Sequence, residues 1–261
     1  MNTSLRDLCI VVSHYNARPQ RDLINLLRQL KEQISNIESK ATVDVIVVVN
    51  MGESKSLDLP LDLQQTTVQY RENSGFNMGS WEHGWRSNPN YYAYLFLQDE
   101  CIASNPNAIA NYWSLLKQHP NSMLGESLFF FRGWSAFLKS WPSDCTSLQS
   151  FATRNSIPLG LTASHLQTLA LAATRETLTK LGGFILADDK MEAIAAEVLL
   201  SRRAVSLGIA VEQSAWFPFA NFSHEQWSSI KLKSRSIAWN LSKFIWYVIF
   251  GWRDLSRRMT P

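Results

Sequence analysis

Cysteine is scarce: Cys9, Cys101 and Cys145 are the only three in 261 residues, widely spaced and odd in number. No C-x-x-C pair occurs, which argues against a disulfide framework or a cysteine-held zinc site and implies a reducing compartment. There is no G-x-x-x-x-G-K-[ST] loop, and no G-x-G-x-x-G follows the first strand-like run, so a P-loop NTPase and a nicotinamide dehydrogenase are both unsupported. The opening MNTSLRDLCIVVSHYN lacks the apolar region and small-residue cleavage site of a signal peptide. Asn-x-Ser/Thr at Asn2, Asn221 and Asn240 therefore carries little weight as a glycosylation signal. Internal repeats and low-complexity segments are absent. A basic body is absent too, because the net charge of +3 comes from the tail. Residues 231–261 hold seven basic side chains against one acid, Asp254, which leaves residues 1–230 net negative. That pattern gives no support to nucleic acid as a partner.

What remains is ordinary globular material, 46% apolar and 18% charged, long enough to bury a sizeable core. LCIVVSHYN (8–16) is an apolar run with a polar end, the pattern of a strand buried in a parallel sheet. Leu23, Leu26, Leu27, Leu30 and Ile34 recur at helical spacing over 21–38. VDVIVVVN (43–50), TTVQYREN (66–73) and YYAYLFLQDE (91–100) are further strands, with a helix starting within 78–87. Helices are expected over 107–120 and 191–208, a strand with its loop over 123–134, and a strand followed by a short helix over 165–184. A last strand is expected in GIAVEQSAWFPF. Residues 139–165 mix Pro, Ser, Asp and aromatics without a period. The rhythm is α/β: a mainly parallel, Rossmann-like sheet flanked by helices.

In such a sheet, ligands gather at the carboxyl ends of the strands. Those ends carry Ser13, His14 and Asn16, then Asn50 and Glu53, then Arg71 and Asn73, then Gln98, Asp99 and Glu100. Asp99-Glu100 ends an apolar run with two carboxylates, the oxygen donors that a hard divalent cation such as Mg²⁺ prefers. The same pair also fits a strand that has merely reached water. SGFNMGSWEHGW (74–85) offers Gly75 and Gly79 for close backbone approach, and Asn73 and Asn77 as amide donors, either to a diphosphate or as an ordinary helix-capping loop. Glu197 lies mid-helix beside apolar Ile194, Val198 and Leu199, and Glu192 competes with it as a functional carboxylate. His224 stands alone among aromatics.

In this order the segments resemble the GT-A nucleotide-sugar glycosyltransferases, in particular the family 2 group that includes rhamnosyltransferase-like enzymes. IVVSHYN, VIVVVNMGES, YRENSGFNMGSWEHGW, YLFLQDE, TRETLTKLGGF and AAEVLLSRRAVSLG carry the resemblance over residues 8–225. It implies a GT-A catalytic domain over 1–225 and transfer of a sugar from a nucleotide-sugar donor to a saccharide or lipid-linked acceptor. The transfer would be inverting and dependent on Mn or Mg. Ser13, Asn16, Asn50, Glu53, Asn73, Gly75, Asn77, Gly79, Gln98 and Asp99 would hold the donor. Glu100, Asp99 and His224 would hold the metal, and Glu197 would be the base, with Asp189 and Glu192 as open alternatives. The pattern departs in two places: Gln98 stands where Asp-x-Asp begins, and Val198 follows Glu197. These departures keep a second function in view, a catalytically weakened module that binds a sugar or a partner. The stretch 226–261 is expected to be a basic, aromatic helical tail. Its apolar, aromatic run, Phe244 to Trp252 within 239–258, is too short to span a bilayer and is preceded by Asn240, Ser242 and Lys243, so it suits either a membrane surface or packing on the domain. A cytoplasmic protein, peripheral on the inner face of the membrane, is the expectation.

Overall fold

The computed structural model describes residues 5–37, 41–52, 56–129, 134, 137–138 and 145–224. The expected tail 226–261 and Glu53 lie outside them. Seven strands form one sheet in the order β10-β6-β9-β4-β1-β2-β3. In chain order, these strands are β1 (Arg6–Tyr15), β2 (Val43–Met51), β3 (Thr67–Glu72), β4 (Tyr91–Gln98), β6 (Ser122–Gly125), β9 (Ala170–Thr174) and β10 (Ala210–Gln213). The short strands β5 (Ile102–Ala103) and β11 (Phe222–Ser223) pair with each other, as do β7 (Leu128–Phe129) and β8 (His165–Leu166). All pairings in the large sheet are parallel except those of β9, which runs against both β4 and β6. The carboxyl ends of β1, β2, β3, β4, β6 and β10 therefore share one edge, and β9 begins there.

Helices cover both faces: α1 (Arg21–Ser35), α2 (Phe76–Ser87), α3 (Ala108–Gln118), α4 (Cys145–Arg154), α5 (Arg175–Leu181) and α6 (Lys190–Ser206). The run LCIVV is apolar at every position because each face of β1 has its own core. Leu8, Ile10 and Val12 pack with Leu23, Leu26, Leu27 and Leu30 of α1 and with Ile109 and Tyr112 of α3. Cys9 and Val11 pack with Trp81 and Trp85 of α2, Phe96 of β4 and Val198 and Leu199 of α6. Each of these fully buried aliphatic side chains contributes about 1.5–3 kcal/mol by leaving water, so the double layer fixes the sheet that carries the polar edge. Cys9 and Cys101 are free and buried: both are small apolar fillers, and burial pushes both thiols well up.

The helix expected within 78–87 is α2, which starts slightly earlier, at Phe76 just after Gly75, whose φ is 69°, so most of the glycine-containing stretch 74–85 is helical. The stretch 165–174 is a broken strand, with β8 and β9 separated by Gln167, Thr168 and Leu169. Helix α6 satisfies backbone N–H groups at that break, offering Ser201 Oγ to the Leu166 N–H at 2.9 Å and Glu197 Oε1 to the Thr168 N–H at 2.9 Å.

Candidate active site

The polar edge holds three linked groups of side chains. At the ends of β1 and β2, Asn16 Oδ1 accepts the Gly52 N–H at 2.7 Å, and Asn50 Nδ2 donates to the Phe76 carbonyl at 3.2 Å. Arg71 closes this group by donating to Asn50 Oδ1 at 2.6 Å and to Ser74 Oγ at 3.0 Å. Ser13 Oγ donates to Asn77 Oδ1 at 2.7 Å, tying β1 to the first turn of α2. Asn16, Asn50 and Ser13 are all buried, so they shape the floor of the cleft. Asn73 is exposed on the turn before α2. Gly79 sits a turn inside that helix, where an added Cβ would lie 2.1 Å from the Ser74 carbonyl oxygen. The close approach at Gly79 is thus to the protein's own backbone.

The second group is built by β4. Register pairs Ser13 with Gln98, and the Asp99 N–H donates to the Ser13 carbonyl at 3.1 Å, so the chain leaves the sheet at a fixed point. Asp99 and Glu100 then part. Asp99 Oδ2 meets His14 Nδ1 at 2.5 Å, in a contact buried on both sides. His14 Nε2 is buried and has no hydrogen-bond partner among the described residues. Glu100 accepts Arg18 Nη1 on Oε1 and lies 2.9 Å from His224 Nε2 through Oε2. The expected trio of metal ligands is therefore divided: Glu100 and His224 converge, while Asp99 is turned onto His14. Among the described residues no group of three His, Cys, Asp or Glu is arranged to hold a cation.

The third group surrounds a cavity of about 190 Å³ between α2, β4 and α6. Gln98 Nε2 donates to the Thr168 carbonyl at 2.6 Å, and the Thr168 N–H in turn donates to Glu197. Gly75, Phe76, Asn77 and Lys190 complete the polar and aromatic side of the wall, with Ile185, Ala193 and Ile194 opposite. Phe76 has φ 52°, a left-handed conformation that a bulky residue adopts only under constraint, and it sits at this cavity. Burial pushes the Glu197 carboxyl above its ordinary range, and the N–H and hydroxyl of Thr168 only partly offset this. Glu197 also lines this cavity.

The other two carboxylates considered for that role are engaged at the start of α6. Asp189 caps the helix by accepting the Glu192 N–H at 2.9 Å. Glu192 accepts Arg154 at 2.6 Å and the Asp188 N–H at 3.0 Å. Its hydrogen bond from Arg154 holds its carboxyl below the usual range. A larger cavity, about 470 Å³, opens at the opposite edge of the sheet, around Arg6, Asp44 and Tyr91. There Asp44 is already satisfied by Arg6 at 2.7 Å and by the Tyr91 hydroxyl at 2.9 Å. The strand carboxyl ends are where an open α/β sheet places its chemistry.

Sequence reasoning gave no role to three residues that build this site. Thr168 had no local signal, because its role depends on the break between β8 and β9. Arg18 stood in plain view in SHYNARPQ, four residues past His14. Glu126, just after β6, is a further acid at a strand carboxyl end and was legible on that ground. It is fully buried and accepts the Tyr112 hydroxyl at 2.7 Å, Ser214 Oγ at 3.2 Å and the Asn221 N–H at 3.1 Å. The Asn221 carbonyl then takes the Ser104 N–H at 2.8 Å, and β11 pairs with β5. Glu126 thereby fixes the strap that delivers His224 to Glu100. Glu126→Gln is expected to cost about 2 kcal/mol in urea unfolding, because its amide would face backbone N–H groups that need an acceptor. An unchanged midpoint would show that the strap does not depend on the carboxylate.

No protein-family model matches the chain, and no curated protein matches it by sequence. Solved structures do match. A mannosyltransferase from Pyrobaculum calidifontis, in complex with GDP-mannose and Mn²⁺, superposes with a TM-score of 0.50 at 12% identity, covering 93% of this chain and 65% of that one. The catalytic domain of a Drosophila β1,4-galactosyltransferase, in complex with xylobiose, gives 0.42 at 11% identity over 85% and 71% of the two chains. A CMP-2-keto-3-deoxy-manno-octonic acid synthetase complexed with CTP gives 0.44 at 12% over 79% and 88%. At such identities the likeness is one of fold, and this chain spans about two thirds of the length of the mannosyltransferase. The chain has the GT-A-type fold, a mostly parallel sheet flanked by helices, with its polar cleft at the strand carboxyl ends.

Proposed function

We propose that this protein is a glycosyltransferase that moves a sugar from a nucleoside-diphosphate donor to an acceptor hydroxyl with inversion. The observation that carries the reading is the Glu197 carboxyl in the wall of a cavity, raised by burial and joined through Thr168 by two hydrogen bonds to Gln98, the first residue of Gln98-Asp99-Glu100. An acceptor hydroxyl in that cavity gives its proton to Glu197. Its oxygen bonds to the anomeric carbon as the carbon–oxygen bond to the diphosphate breaks, and the nucleoside diphosphate leaves. Ser13, Asn16 and Asn50 shape the floor for the donor nucleoside, with Asn73, Gly75 and Asn77 on the α2 side. Asp99, held by His14, faces the donor ribose.

The residues present suit a divalent cation. Glu100 Oε2 and His224 Nε2 converge within 2.9 Å, and carboxylate oxygen with imidazole nitrogen is a donor pair that Mn²⁺ accepts. A cation bound there would neutralise charge on the leaving diphosphate. The family 2, rhamnosyltransferase-like grouping, and a role in polysaccharide or glycolipid synthesis, are the finer parts of this proposal. The basic, aromatic tail 226–261 is proposed to rest on the cytoplasmic face of a membrane carrying a lipid-linked acceptor. No helix among the described residues is long and apolar enough to cross one. The test is release of nucleoside diphosphate from a panel of UDP-, GDP- and dTDP-sugars in the presence of Mn²⁺. Release from one nucleotide class, accelerated by a saccharide acceptor, is expected; no release from any donor would overturn the reading.

A further inference from the structure

The Glu100 carboxylate has both oxygens engaged, one by Arg18 and one by His224. A cation held between Glu100 Oε2 and His224 Nε2 would replace the Glu100–His224 contact and would share the carboxylate with Arg18, whose charge sits on Oε1. His224 is largely buried and is itself a donor that a cation accepts, and the strap pinned by Glu126 holds it in place. Arg18 has the opposite properties. Its side chain is 55% exposed, its guanidinium has no lone pair to offer a metal, and its positive charge repels one. Its backbone is fixed, since the Arg18 N–H donates to the Tyr15 carbonyl at 2.9 Å and Pro19 follows before α1. Only the long side chain is free to move.

We propose that Arg18 and a divalent cation compete for Glu100, and that the diphosphate of the bound nucleotide draws Arg18 away. This rests on the reading of the cleft as a nucleoside-diphosphate site. The planar guanidinium fork matches phosphate oxygens better than it matches one exposed carboxylate oxygen. Such an exposed ion pair is weak, so the exchange is easy in both directions. Nucleotide and cation then favour each other by one reciprocal factor. In the resting protein Arg18 satisfies Glu100; in the loaded protein it clamps phosphate and leaves Glu100 to the cation.

The experiment compares full-length wild type with Arg18→Gln in two titrations. In the first, Mn²⁺ alone is followed by the electron paramagnetic resonance signal of the free ion. Arg18→Gln is expected to bind Mn²⁺ about fivefold more tightly, the upper end of what an exposed ion pair contributes. In the second, UDP and GDP are titrated by calorimetry in EDTA. Arg18→Gln is expected to bind the preferred nucleotide about fivefold more weakly, by the same scale. Opposite shifts from one substitution are a signature that simple loss of structure does not produce. Arg18→Lys keeps the charge and is expected to keep wild-type Mn²⁺ affinity. Unchanged or weaker Mn²⁺ binding by Arg18→Gln, or none by either protein, would overturn the role of Arg18 while nucleotide binding still stood. Absence of nucleotide binding by wild type, with and without Mn²⁺, would overturn the donor-site reading and this proposal with it.

Discussion

Glu197→Gln is expected to lower the rate of sugar transfer by about 10²–10⁴-fold while leaving nucleotide affinity unchanged. The substitution removes the basic oxygen but keeps a carbonyl that can still accept the Thr168 N–H, so the break between β8 and β9 survives. The same burial that raises the Glu197 carboxyl sets the pH behaviour. The folded state holds this proton to higher pH than the unfolded chain does, so stability falls as pH rises through the folded value. Turnover, which needs the ionised form, rises over the same window. Glu197→Gln should therefore abolish both trends and raise the thermal midpoint at alkaline pH, the opposition between stability and activity expected of a strained site. Turnover equal to wild type would remove Glu197 as the base. A lower midpoint in alkali would show that the carboxylate is structural.

Gly79→Ala is expected to destabilise the protein by about 3 kcal/mol, the upper end of the cost of overpacking. The added Cβ would lie 2.1 Å from the Ser74 carbonyl and 2.8 Å from Arg71 Nη1. A backbone oxygen cannot rotate away as a side chain can, so either α2 or the turn at residues 71–74 must shift. Arg71 then loses its geometry to Asn50 and Ser74, and Phe76 loses the support for its left-handed conformation. Urea unfolding measures the loss. A midpoint within error of wild type would show that the helix start tolerates displacement, and that Gly79 serves another purpose.

How much of this was legible in sequence follows from the length of the signal. The apolar runs of β1, β2 and β4, and the periodic faces of α1, α3 and α6, are long enough to declare themselves. Their observed ends lie within three residues of those expected, the ordinary scatter of element boundaries. The polar strand ends followed from them, because parallel strands must finish at a common edge. The segment 74–85 was harder. Its glycines suggested a loop, yet Gly79 and Gly84 lie inside α2, where they let it pack against Ser74 and Val11. The ligand set was harder still, because carboxylates adjacent in sequence diverge in space. Asp99 turns in to His14, and Glu100 turns out to Arg18 and His224. No spacing rule encodes that choice; it depends on β1 and β4 being neighbours. Thr168 likewise reaches Glu197 only because β9 runs against its neighbours and starts at the polar edge.

The central claim is that this edge is a nucleoside-diphosphate site assisted by a cation. It is tested most directly by the thermal unfolding of the full-length protein with UDP, GDP, dTDP, CDP and ADP, each with and without Mn²⁺. One nucleotide is expected to raise the midpoint clearly more than the others, and to raise it further when Mn²⁺ is present. If no nucleotide moves the midpoint, with or without the metal, the claim is contradicted.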